Sequence, residues 1–228
     1  MGERARPGPP AWVRWGSWGW YALLFAVMVL VTVDVLLDGP LRRLDWTVHE
    51  FADTHVRGGW LTAATVVTKL GQRGDLAVVI GVLAVIAGAR ERSLHPVLMS
   101  AVIVMGLSLL QVGLKAAIPR TFPYGNADVL FTQGTAYPSG HTLNAFVLIW
   151  VVLELLVAAF PAVGRRLPSR RRRDIALVTG CVAAAALTAA DFHWLTDVLF
   201  SLALGPVLLS GLIALAAFNP EEGRPRWF

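Results

Sequence analysis

Six apolar runs of near bilayer-crossing length constrain this chain before any motif is considered. Bounded by charge, Gly and Pro, they fall at roughly 17–38, 61–89, 95–117, 141–162, 174–190 and 194–218. About 20 consecutive apolar residues carry a helix across the hydrocarbon core. The second run is interrupted by Lys69, Arg73 and Asp75, and its 76–89 half alone is short for a crossing. The stretch 39–74 suits interfacial helices, with Trp46 and Trp60 as headgroup anchors. Only 15% of residues are charged, against about 25% in soluble domains. The expected fold is all-α: a polytopic six-transmembrane-helix bundle with interfacial helices between spans 1 and 2. Residues 1–228 form one integral-membrane domain, with no room for a soluble one. The first run is long for a signal-peptide core and lacks a small-x-small cleavage site, so it is expected to be a retained span. Cys181 is the single cysteine, which excludes an internal disulfide or a Cys-based metal site.

The net charge of +5 does not point to nucleic acid, because the arginines cluster at the ends of apolar runs. With six spans, 13 Lys and Arg fall on the side of both termini and 7 on the other. The larger set marks the cytoplasmic side. Lys115, Arg120, His141, His193 and Asp197 then share the extracytoplasmic face. The basic run 165–173 is expected to anchor anionic lipid headgroups.

Two polar islands break the apolar pattern on that face, Pro138-Ser139-Gly140-His141-Thr142 and His193-Trp194-Leu195-Thr196-Asp197. Ionisable side chains in such places mark function by default. His193 and Asp197 are four residues apart, on one helical face. The carboxylate can fix the imidazole tautomer and leave the other nitrogen to attack, as in a nucleophile–orienter pair. The same spacing also serves as a staple between helices. Ser139 and Gly140 set a turn into span 4 whose backbone N–H groups suit an anion, or an ordinary Ser cap. His141, one residue into that helix, can donate a proton to a departing oxygen. Lys115 ends span 3 and Arg120 follows five residues later, either as snorkelling anchors or as phosphate-neutralising cations. Occurring in order and on one face, these residues together describe phosphoryl transfer through a phosphohistidine, with Lys and Arg in place of a metal.

The chain resembles the type 2 phosphatidic acid phosphatase superfamily, whose ordered motifs are K-x6-R-P, P-S-G-H and S-R-x5-H-x3-D. The second is complete at 138–141, and the H-x3-D half of the third is complete at His193 and Asp197. Lys115 and Pro123 match the first, but Phe122 stands at its arginine, with Arg120 where many members carry an additional one. Ala186 and Leu187 stand at the Ser and Arg of the third. The motif core covers about 113–205.

The resemblance implies His193 as nucleophile, Asp197 as its orienter and His141 as general acid. It implies Lys115, Arg120, Ser139 and Gly140 as phosphate ligands, with no metal or other cofactor. The implied partners are membrane lipids and a lipid phosphate or polyprenyl (pyro)phosphate substrate. Two alternatives remain open. Sphingomyelin-synthase-like relatives keep S-G-H-T, present here at 139–142, and transfer headgroups. The missing arginines also fit a non-catalytic lipid-binding relative. Asn144 is a further polar residue near the cleft, and Asp191 and Thr188 are placed to reshape it. Asp34 and Glu154 are intramembrane carboxylates without an assigned role.

Overall fold

The computed structural model describes residues 16–215 and 217–218. Arg4, Arg6, Arg14, Arg224 and Arg226, all counted on the cytoplasmic side, lie outside them. The helices are α1 (Gly16–Leu36), α2 (Pro40–His55), α3 (Gly59–Thr68), α4 (Arg73–Glu91) and α5 (His95–Ala117). They continue as α6 (Gly140–Ala159), α7 (Pro161–Gly164), α8 (Ser169–Ala189) and α9 (Leu195–Ala214). Short 3-10 turns occupy Lys69–Gly71 and Pro123–Gly125. Among the described residues there is no strand, only an isolated bridge between Arg120 and Leu130.

Four helices are long and apolar enough to cross a membrane: most of α1, and α5, α6 and α9. The second apolar run qualifies as a fifth only as a bent unit, because α3 and α4 meet at 45°. α8 falls short of the composition of a span, since the five charged residues 170–174 load its start. Large apolar side chains such as Phe25, Leu30, Val82, Val85, Val102, Met105 and Leu109 are exposed on α1, α4 and α5. Such a perimeter suits lipid and not water.

α6 is the most buried of the span-length helices and packs against α4, α5, α8 and α9. Its Phe146 is fully buried between Gly180 of α8 and Gly205 of α9, where a Cβ at either glycine would collide with the ring. Small residues at such crossings let helices approach closely in the absence of a hydrophobic drive between them.

Both carboxylates left unassigned by sequence have structural partners. Asp34 accepts the N–H groups of Leu41 (3.2 Å) and Arg42 (2.8 Å), satisfying orphan amides at the start of α2. Glu154 pairs with Arg172 at 2.7 Å, tying α6 to α8. Arg172 thereby leaves the surface run 165–173 and is buried.

One end of the bundle collects the polar contacts. Thr32 meets Tyr137 (2.7 Å), Arg42 meets Asp128 (2.7 Å) and His49 meets Asp191 (2.9 Å). His141 meets Gln72 (2.9 Å), and Arg120 meets Asp197 (2.9 Å). The C-terminal ends of α1, α5 and α8 and the N-terminal ends of α4, α6 and α9 therefore converge there. The Glu154–Arg172 pair lies far along α6 from His141.

Candidate active site

The two polar islands are bonded to each other through backbone. The Ser139 N–H donates to the Asp197 carbonyl at 3.2 Å. The Ser201 hydroxyl lies 2.9 Å from that carbonyl and 3.1 Å from the Ser139 carbonyl. The turn before α6 and the first turn of α9 are therefore held together by main-chain atoms.

His193 lies in the turn between α8 and α9, entered through Asp191 in the left-handed region at φ 58°. Its Nδ1 is 3.3 Å from Asp197 Oδ2. Among the described residues no hydrogen bond occupies its Nε2. Asp197 is the third residue of α9, and its Oδ2 also accepts the Trp194 N–H at 3.1 Å, one half of a capping box. Its Oδ1 accepts from Arg120 at 2.9 Å.

Ser139 is the N-cap of α6 and is fully buried. Its Oγ accepts from the Thr142 N–H (3.4 Å) and hydroxyl (3.0 Å). Gly140 follows, where a Cβ would lie 2.8 Å from Gln111 Oε1 and 3.8 Å from Lys115 Cε. Lys115 ends α5 and donates to the Thr135 carbonyl. His141 is half-buried in the first turn of α6, where its Nε2 meets Gln72 Oε1. His193, Asp197, His141, Ser139, Gly140 and Lys115 are thus brought to one place.

Arg120 has a different environment from the phosphate contact expected of it. It is fully buried, and all its N–H-bearing atoms are engaged. Nε and Nη2 fork onto Asp128 at 2.7 and 2.9 Å. Nη2 also reaches Asp45 at 2.7 Å, while Nη1 binds Thr196 at 2.7 Å and Asp197 at 2.9 Å. Nothing is left to grip a substrate oxygen, so in this arrangement Arg120 positions Asp197. Burial and the carboxylates pull Arg120 in opposite directions, and the carboxylates hold it well above the usual guanidinium range. Burial raises Asp128, but Arg120 and Arg42 outweigh it and keep that carboxyl below its ordinary range. At Asp45 burial prevails over Arg120, and its carboxyl sits above that range.

Asp45, Asp128, Thr196 and Gln72 were not singled out by sequence. Arg120 pairs with residues 8 and about 75 positions away, which no local spacing signals. Asn144 is held by structural contacts. It donates to the Gly71 carbonyl at 3.0 Å and accepts from Gln111 at 2.8 Å. Thr188 bonds back to Ala184 in its own helix at 3.2 Å. Phe122, at the motif-arginine position, packs its ring near His193 at 5.5 Å between centroids and stacks on Tyr124. Leu187, at the other, is buried.

Asp191 pairs with His49, whose Nδ1 is 2.9 Å from both carboxylate oxygens and whose Nε2 is 2.9 Å from Asn126 Oδ1. Burial pulls His49 down, but its bonds to Asp191 and Asn126 outweigh it and raise the imidazole above its usual value. Burial likewise lifts Asp191 more than His49 lowers it. A raised histidine stabilises the fold fully below its unfolded value of about 6.5, and that contribution fades as pH rises through the folded value. Melting of the detergent-solubilised protein is therefore expected to lose a His49-dependent increment as pH rises above about 6.5. The His49→Gln variant is expected to melt lower at pH 6 and to show a flatter profile. Parallel profiles for the two proteins would remove this role.

The helical bundle is a known membrane architecture. The crystal structure of a transmembrane PAP2-type phosphatidylglycerolphosphate phosphatase from Bacillus subtilis superposes with a TM-score of 0.69. The match covers 91% of this chain and 98% of that one, at 21% identity. A comparison with curated proteins found no match. The sequence pattern of the PAP2 superfamily matches residues 97–220. The chain belongs to the PAP2 superfamily.

Proposed function

We propose that this protein is an integral-membrane phosphatase acting on a lipid phosphate or a polyprenyl (pyro)phosphate through a phosphohistidine. One observation carries the reading: a buried carboxylate holds His193 Nδ1 at 3.3 Å while His141 and Lys115 face the same turn. His193 Nε2 attacks phosphorus, and the bond to the lipid (or lipid-phosphate) oxygen breaks as His141 protonates that oxygen. Water, giving its proton to His141, then attacks the phosphohistidine. The P–N bond breaks, releasing inorganic phosphate and regenerating His193. Lys115 neutralises charge on the equatorial oxygens, and Gly140 keeps the turn open to them. Ser139 contributes as the cap that fixes this turn, and no metal or cofactor is assigned a step.

The membrane arrangement proposed with it has six crossings. α4 with the bent α3 unit forms the second, α8 the fifth, and α2 lies at the interface. Residues 1–228 act as one domain around a motif core at 113–205, with both termini cytoplasmic and the site extracytoplasmic. The positive-inside asymmetry supports this orientation. A topology reporter fused within 161–173 is expected to give a cytoplasmic signal, and an extracytoplasmic one would invert the arrangement.

Phosphate release should be measured across phosphatidate, phosphatidylglycerophosphate, sphingoid phosphates and polyprenyl (pyro)phosphates, with and without alcohol acceptors. Release in water alone is the expected result. Product formed only with an alcohol would instead make the protein a headgroup transferase, and no turnover with any of them would leave a lipid-binding relative.

A further inference from the structure

The structure assigns Arg73, at the elbow between α3 and α4, to the phosphate site as the guanidinium that replaces those absent at Phe122 and Leu187. This assignment rests on the phosphatase reading above. The elbow is locked onto the start of α6. Gly71 lies so close that a Cβ there would run into the His141 carbonyl, and its own carbonyl accepts from Asn144 at 3.0 Å. The next residue, Gln72, bonds His141 Nε2 at 2.9 Å. Arg73 opens α4 immediately afterwards and is half-buried.

The Arg73 guanidinium donates to Gln111 Oε1. That same oxygen is the nearest atom a Cβ on Gly140 would meet, and Lys115 Cε lies 3.8 Å from that Cβ. Gln111 is itself held by Asn144, so Arg73, Gly140 and the Lys115 stem border one small volume beside His141. The field of Arg73 acts on both Lys115 and His141.

The pairing of charges at this end of the bundle is uneven. Arg42 is matched by Asp128, and Arg120 by Asp45, Asp128 and Asp197. Among the described residues neither Arg73 nor Lys115 has a carboxylate at ion-pair distance. Asp197 attracts Lys115 from beyond ion-pair distance, but the two cations still repel one another, and an anion between them reverses the sign. One N–H of Arg73 is engaged by Gln111, which leaves donors for a bidentate grip on phosphate. The charge that interrupts the second apolar run thereby gains a reason to be there.

The test uses the full-length protein in detergent, with inorganic phosphate as the probe and thermal stabilisation as the readout. Wild type and His193→Ala are both expected to be stabilised. Arg73→Gln is expected to need about 10- to 100-fold more phosphate, the equivalent of one lost charge-assisted bond. Its kcat/KM for a turned-over lipid phosphate should fall by a similar factor. Phe122→Arg placed in the Arg73→Gln background is expected to recover phosphate binding, because position 122 lies against His193. Unchanged phosphate dependence in Arg73→Gln overturns the assignment. If that variant cannot be purified, Arg73→Lys, which removes the fork, is judged by the same criterion. Wild type that binds phosphate but turns over no lipid phosphate would sink the phosphatase reading and leave the Arg73 result standing.

Discussion

His193→Ala is expected to lower phosphate release from the best lipid phosphate by at least about 10³-fold, since removing a nucleophile that acts as a unit with its orienter eliminates the covalent route. The effect should fall on kcat, with stability little changed, because the Asp197 interactions that matter to the fold survive without the ring. Its Oδ1 still receives Arg120, and its Oδ2 still receives the Trp194 N–H at 3.1 Å. Asp197→Asn should also cut kcat severely by turning the imidazole to the wrong tautomer. It disturbs Arg120 as well, so its melting temperature should drop where that of His193→Ala does not. Comparing kcat and melting temperature for the two variants separates chemistry from support.

Replacing Arg120 with Met is expected to destabilise the protein by about 3–5 kcal/mol, the usual effect of stripping a buried charge from its partners. Three carboxylates, Asp45, Asp128 and Asp197, would be left facing one another. The effect should depend on pH. Asp128 is held below its ordinary range, so its stabilisation is present above the unfolded carboxylate value and is lost as pH falls through the folded one. Wild type should therefore lose the Arg120–Asp128 increment only in strong acid. Asp45 acts in the opposite sense, because burial already favours its neutral form. Adding Asp45→Asn and Asp128→Asn to Arg120→Met should return part of the lost stability. A melting temperature equal to wild type for Arg120→Met alone would show that the buried cluster contributes nothing to the fold.

The contrast between Arg120 and Arg73 shows what sequence can and cannot disclose here. Helices and the His193–Asp197 pair are legible because both depend on local spacing: apolar run length for the first, and a separation of four for the second, although His193 meets Asp197 from the turn before α9 and not from a shared helical face. The Ser139 cap is legible for the same reason. Arg120 sits in a motif, and its position suggested phosphate. Its actual partners are Asp45, on a helix some 75 residues earlier, and Asp128 in the following loop. Only the tertiary fold brings those carboxylates to it. Arg73 shows the reverse case, an interruption in an apolar run that acquires meaning once the elbow docks on α6. The 45° bend and the charged start of α8 likewise blur span counting, since hydropathy alone cannot tell a broken crossing from two elements.

The phosphohistidine itself is the most direct point of attack. Purified protein mixed with a lipid phosphate carrying labelled phosphorus, then quenched in base within a turnover, should retain label on a peptide containing His193. The label should be acid-labile and absent from His193→Ala. Wild type that releases phosphate at full rate with no trapped label, or with label on another residue, would contradict a nucleophilic role for His193.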